Sequence, residues 1–136
     1  MRVFIADDSS LVRERLSAAL SEIEGIEIVG QTSEAQLAVD FVRRLGPEVV
    51  IMDIMLHSGN GIDALRTIKR GDPVPIVLVF TNYTYAEYRE KCMDAGADFF
   101  FAKSSEFKAM FETLRAFLKR PRQASANSYE ETRGAC

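Results

Sequence analysis

An α/β fold is predicted for this chain: a parallel sheet of five strands with helices on both faces. Three observations predict it. Short apolar runs alternate strictly with segments whose apolar residues recur at helical spacing, five times in succession. The apolar runs are nearly continuous, as in strands covered on both faces, and do not alternate with polar residues. Glycine and proline stand between the units, where a helix must stop and a strand begin.

The elements follow in order. "RVFIA" (Arg2 to Ala6) is the first strand. Leu11, Val12, Leu16, Ala19, Leu20 and Ile23 recur at helical spacing until Gly25 ends them. "IEIVGQ" is the second strand; Ser33 and Gln36 then form a capping box for the helix "EAQLAVDFVRRL", which Gly46-Pro47 terminates. "EVVIMD" is the third strand and "IDALRTIKR" the third helix. "PIVLVF" (Pro75 to Phe80) is the fourth strand, and Thr84 with Glu87 boxes the start of a helix running to about Ala95, before Gly96. "DFFFA" (Asp98 to Ala102) is the fifth strand, and Glu106 to about Arg120 the fifth helix. Residues 1–120 therefore read as one domain. Residues 121–136, "PRQASANSYEETRGAC", are polar and read as a flexible tail or linker.

Composition narrows the function. The chain has 136 residues, 47% hydrophobic and 27% charged, which suits a single soluble domain with one core. Its net charge is −3 and its Lys and Arg are scattered, which argues against direct nucleic-acid contact by this chain. Cys92 and Cys136 read as reduced bystanders, so a cytoplasmic setting is expected. No apolar run is long enough to span a bilayer, and "MRVFIADDSS" enters a strand with no signal-peptide pattern.

Open parallel sheets bind ligands at the carboxyl ends of their strands. Here the strands end in Asp7-Asp8, Asp53, Thr81 and Lys103. Three carboxylates, a hydroxyl and an ammonium thus converge on one edge. The carboxylates repel one another, and a single lysine leaves two negative charges uncompensated. A divalent cation balances that sum, and oxygen-only ligands with few protein contributors suit Mg²⁺. Asp53 can then attack phosphorus to form an aspartyl phosphate, with Mg²⁺ and Lys103 neutralising the phosphoryl oxygens.

Each piece alone has a plainer reading. "DDSS" is a turn that caps a helix, Asp53 a loop carboxylate, Lys103 a solvated surface residue and Thr81-Asn82 ordinary turn chemistry. Their placement at four separate strand ends carries the joint reading. "GNGIDA" (Gly59 to Ala64) has a dinucleotide-fingerprint look but follows the third strand, and the next strand ends in "VFTN" without a ribose-binding acid. Its glycines read as turn residues. A haloacid-dehalogenase-type phosphatase would want a second aspartate two residues after Asp53, where this chain has Met55. The tyrosines of "NYTYAEY" and the Phe99–Phe101 run read as core and partner-surface aromatics.

Taken together, Asp7-Asp8, "VVIMD" ending in Asp53, Gly61, Thr81 and "GADFFFAK" ending in Lys103 resemble the response-regulator receiver domain of two-component signalling. The likeness covers roughly Met1 to Arg120 and is similar in scale to the stand-alone chemotaxis regulator. It implies a flavodoxin-like sheet of strand order 2-1-3-4-5 and phosphotransfer from a histidine kinase or a small acyl phosphate onto Asp53. It further implies Mg²⁺ held by Asp8, Asp53 and the Met55 backbone carbonyl, with Asp7 acting through water. Thr81 and Phe100 would form the switch that changes the face of the fourth helix, fifth strand and fifth helix for a downstream protein. Met55 and Tyr83 would flank the path of the hydrolytic water and slow self-dephosphorylation. Such a protein is not a conventional enzyme; it catalyses its own phosphorylation and slow dephosphorylation, as a monomer or a phosphorylation-dependent dimer. Alternatives are a phosphorelay intermediate serving a histidine phosphotransfer protein, and the N-terminal receiver of a longer DNA-binding regulator.

The chain departs from the family pattern in three places, the first being Phe100, three before Lys103, which stands where Tyr or another aromatic is usual and can swing but cannot donate a hydrogen bond. His57, the only histidine, stands where proline is frequent, and reads as a polar loop residue. Ser104 follows Lys103 where the family has a cis proline; a non-proline cis bond costs about 3 kcal/mol, which leaves this peptide's isomer open.

Overall fold

The computed structural model describes residues 1–119; the expectations for residues 120–136 lie outside the described residues. The elements run β1 (Arg2–Ala6), α1 (Ser10–Ser21), β2 (Glu27–Thr32), α2 (Ala35–Leu45), β3 (Val49–Met52), β4 (Met55–Leu56) and β5 (Gly59–Asn60). They continue with α3 (Gly61–Lys69), β6 (Ile76–Thr81), α4 (Ala86–Asp94), β7 (Phe99–Ala102) and α5 (Phe107–Lys119). Five strands form one parallel sheet of order β2-β1-β3-β6-β7, which is 2-1-3-4-5 when only its own strands are counted. The predicted fold class is therefore the observed one.

Strand side chains alternate between faces, and here both faces are dry. Phe4, Ala6, Val50, Met52, Val77 and Val79 pack with α2, α3 and Cys92 of α4 on one side. Val3, Ile5, Val49, Ile51, Leu78 and Phe80 pack with α1 and α5 on the other, around Leu16, Leu20, Met110 and Leu114. This double burial explains why the strands read as continuous apolar runs. Leu11, although it fits the helical period of α1, is exposed. Gly46 ends α2 in the left-handed region (φ 57°, ψ 51°), and its N–H donates to the Val42 carbonyl.

Three expectations need correction. Neither predicted capping box forms, and both miss by one residue. The N-cap of α2 is Glu34 and that of α4 is Tyr85, each without a side-chain cap. Gln36 and Glu87 consequently fall at the second helical position, where they cannot reach back to the cap. At α2 a backbone group replaces the side chain: the Ala35 N–H donates to the His57 carbonyl, and the His57 N–H to the Ser33 carbonyl. The third correction concerns the segment after Asp53, which is more than a glycine turn. It folds into the antiparallel β4–β5 pair, tied to α2 through His57.

Candidate functional site

The site is built at the carboxyl edge of the sheet. β1 and β3 are neighbours, so their ends deliver Asp7 and Asp53 side by side, with Thr81 ending β6 and Lys103 following β7. One carboxylate oxygen from each of Asp7, Asp8 and Asp53 lies within 4.8 Å of the others. Asp7 is 2% exposed and Asp53 3%, whereas Asp8 faces solvent.

Lys103 Nζ bridges the two buried acids, 2.8 Å from Asp7 Oδ2 and 2.7 Å from Asp53 Oδ2. The other Asp53 oxygen accepts from the Ile54 N–H at 2.7 Å and the Met55 N–H at 3.4 Å. Asp7 Oδ1 accepts from the Ser9 N–H at 2.9 Å. Ser9 also caps α1, accepting from the Val12 N–H. The plainer reading of "DDSS" as a helix-capping turn is thus true of its serine and compatible with a site built by its acids.

Thr81 is fully buried at the end of β6, and its hydroxyl oxygen accepts from the Tyr83 N–H at 3.1 Å. Phe100 is buried beside α4, with the Arg89 guanidinium 5.3 Å from its ring centre. Met55 and Tyr83 are about half exposed, at 48% and 40%, and Tyr83 meets the Tyr88 ring edge-on. Asp7, Asp8, Asp53 and Lys103 are therefore brought together directly; Met55 touches Asp53 through its N–H and Thr81 touches Lys103 through its carbonyl, while Phe100 packs in the core and Tyr83 against Tyr88. Lys103–Ser104 is trans, since the cis peptide among the described residues is Asp72–Pro73.

The family model of the response regulator receiver domain matches residues 3–115. The chain belongs to that family. It is 40% identical over 105 residues to a protein-glutamate methylesterase/protein-glutamine glutaminase of Alkalilimnicola ehrlichii, covering 76% of this chain and 27% of that protein. It is 30% identical over 115 residues to the response regulator GacA of Pseudomonas aeruginosa, covering 85% of this chain and 54% of that one. A two-component response regulator of the LuxR family from Aurantimonas sp. SI85-9A1 superposes with a TM-score of 0.79 at 29% identity, over 86% of this chain and 84% of the other. The chain thus spans about a quarter to a half of the length of these two curated relatives. Among the described residues, no helix is long and apolar enough to cross a membrane.

The electrostatics of this receiver domain are those of a crowded acidic pocket. Burial pushes the Asp7 carboxyl up, more than its bonds from Lys103 and the Ser9 N–H pull it down. Burial alone would lower the Lys103 ammonium, but hydrogen bonds to Asp53 and Asp7 outweigh it and hold Lys103 above its usual value. The buried Cys92 thiol, pushed up to about 11 by burial, is inert packing.

The raised Asp7 predicts a stability effect with a definite sign. An acid that holds its proton more tightly when folded destabilises the fold wherever it is ionised, above its ordinary value of 3.8. With a chelator present at neutral pH, Asp7→Asn should therefore melt a few degrees higher than the native protein, with Lys103 keeping Asp53 as its partner. The gain should vanish as the pH falls below 3.8, where Asp7 is protonated in both states. A lower melting temperature for Asp7→Asn at neutral pH would contradict this.

The donor set fits a small hard cation. Three carboxylate oxygens against one ammonium leave two negative charges, and among the described residues no nitrogen or sulfur ligand enters the cluster. One residue of the site was missed in the sequence. Arg13, on α1, donates from Nη1 to the Asp7 backbone carbonyl at 2.6 Å. The available signal was an arginine close to the start of a helix, where its charge opposes the helix dipole.

Proposed function

We propose that this receiver domain accepts a phosphoryl group on Asp53 and passes the signal on by changing a protein-binding face. The carrying observation is a carboxylate buried at a sheet edge, beside Lys103 and within 4.8 Å of two further carboxylates. A structural acid would gain nothing from two like charges at that distance. A nucleophile for phosphorus needs positive charge beside it, which Lys103 supplies in part and a cation drawn by the acids would complete.

In the proposed reaction an Asp53 carboxylate oxygen bonds to phosphorus. The donor's P–N bond (phosphohistidine) or P–O bond (acyl phosphate) breaks, and its electron pair leaves with the donor. Asp8, Asp53 and the Met55 carbonyl would hold Mg²⁺, with Asp7 acting through water; bound there, Mg²⁺ neutralises charge on the phosphoryl oxygens. The Ile54 and Met55 N–H groups keep Asp53 oriented. Lys103 exchanges one anionic partner for another, from the carboxylates to a phosphoryl oxygen.

The Thr81 hydroxyl accepts from the Tyr83 N–H and donates to no partner among the described residues, so its own proton is available to a phosphoryl oxygen. Its movement would let Phe100 rotate, and the face made by α4, β7 and α5 would change for the partner. The upstream partner is a sensor histidine kinase or a histidine phosphotransfer protein, and the downstream one a protein. The limited span of the chain against its relatives favours a second reading, in which this receiver is the regulatory part of a longer regulator.

Incubation with a small acyl phosphate and Mg²⁺, followed by peptide mapping, tests the reading. The label should sit on Asp53 and fail to form with a chelator. A label on any other residue would contradict it.

The lifetime of the phosphoryl group yields a further prediction. Neither Met55 nor Tyr83 carries a carboxylate or amide to orient a water, and both are bulky enough to obstruct one. Slow self-dephosphorylation is expected. The double variant Met55→Asn with Tyr83→Glu should lose phosphate several-fold faster than the native protein, measured as decay of the label. Equal decay would show that these positions do not govern access.

A further inference from the structure

We propose that Arg13 is a positioning residue for the cation site, acting on Asp8 through the peptide that joins the two acids. The inference rests on the cation-site reading above and adds a residue to it.

The Asp7 side chain is engaged on both oxygens, by Lys103 and the Ser9 N–H, and its backbone N–H donates to the Thr32 carbonyl at 3.0 Å. Asp53 is held by Lys103 and two backbone N–H groups. Asp8 differs from both. It is exposed, and its carboxylate has no ion pair or side-chain hydrogen bond among the described residues. Whatever aims Asp8 at the other two acids must act through its backbone.

That backbone is held by Arg13. The Asp7 carbonyl belongs to the same rigid peptide plane as the Asp8 N–H, so fixing one fixes the place and direction of the N–Cα bond from which Asp8 is built. The half-buried Arg13 guanidinium grips that carbonyl at 2.6 Å across the first turn of α1. The Arg13 N–H in turn donates to the Ser9 carbonyl at 3.0 Å, so the arginine is anchored in the helix it reaches back from.

Helix stability does not account for the choice. A cation near a helix N-terminus opposes the dipole, and α1 has no acid in its first turn to balance it. The charge could instead act only by neutralising the acids, in which case removing it would tighten cation binding. The contact to a carbonyl, not to a carboxylate, favours positioning. Partners that orient metal ligands typically change metal affinity by about 10–100-fold when removed. Arg13 reaches its ligand through one peptide, so the low end applies.

The test titrates Mg²⁺ alone into the native protein, Asp8→Ala, Arg13→Met and Arg13→Lys, following the backbone amide signals of Asp8, Ile54 and Met55 by NMR. Melting temperature is measured in chelator for each. Arg13→Met should bind Mg²⁺ about tenfold more weakly while melting within a few degrees of the native protein. Arg13→Lys keeps a donor able to reach the carbonyl and should recover to within about threefold, below the loss expected when an orienting partner is removed. Arg13→Met binding as tightly as the native protein or more tightly, or Arg13→Lys no better than Arg13→Met, overturns the proposal while leaving the cation site intact. A native protein that gives no Mg²⁺ response, or Asp8→Ala that binds as the native protein does, overturns the site reading and the proposal with it.

Discussion

Gly61→Ala is expected to lower the melting temperature by about 10 °C, from a loss of about 3 kcal/mol. A methyl group there would sit 2.5 Å from the Asp53 carbonyl oxygen, 2.6 Å from Ile54 Cα and 2.7 Å from the Ile54 carbonyl oxygen. All three are backbone atoms, and none is free to withdraw. The Asp53 N–H is bonded to the Ala6 carbonyl, and the Gly61 N–H to the Ile54 carbonyl. Ile62 and Leu65 root the start of α3 in the core. Relief must therefore come from the segment carrying Asp53, so phosphoryl acceptance should fall along with stability. Gly46→Ala is the control. Its left-handed backbone costs about 1 kcal/mol, but an added methyl meets nothing within 4 Å. If the two variants melted alike, the close approach at Gly61 would not matter.

Removing Lys103 should have an effect of similar size with a different signature. Its ammonium makes the ion pairs of both Asp7 and Asp53, which are buried. Lys103→Met leaves two adjacent buried carboxylates uncompensated, a loss of about 3 kcal/mol in chelator. Protonating Asp7, whose carboxyl burial already pushes up, relieves part of it, so the deficit should shrink as the pH falls. Added Mg²⁺ should stabilise Lys103→Met more than the native protein, because it supplies the missing positive charge. Thermal melts with and without Mg²⁺ check this; a variant indifferent to both pH and Mg²⁺ would mean that the lysine does not balance the acids.

The sheet and most of the acidic edge were legible because burial on two faces and charge at strand ends both leave marks on single residues. "VVIMD" is one example: four fully buried positions, then a carboxylate just past the strand. The β4–β5 pair left no such mark. Two-residue strands have no periodicity, and the His57 contact that anchors them is made by backbone groups any residue possesses. The same backbone contact at α2 made the Ser33–Gln36 box unnecessary. At α4 the Thr84–Glu87 pattern was present but one residue out of register. Ser104 left the isomer of its peptide open, and the structure makes it trans. Arg13 escaped because its partner is a carbonyl, which no side-chain pattern reports.

The proposed role of Asp53, as the phosphoryl acceptor of a Mg²⁺-dependent switch, is open to a direct test. The most direct measurement compares incorporation of label from acetyl phosphate into the native protein and Asp53→Asn, each with Mg²⁺ and with chelator. Asparagine keeps the shape of the side chain but has no anionic oxygen to attack phosphorus. The account predicts labelling of the native protein only with Mg²⁺, and none of Asp53→Asn in either condition. Label that survives the substitution would contradict it.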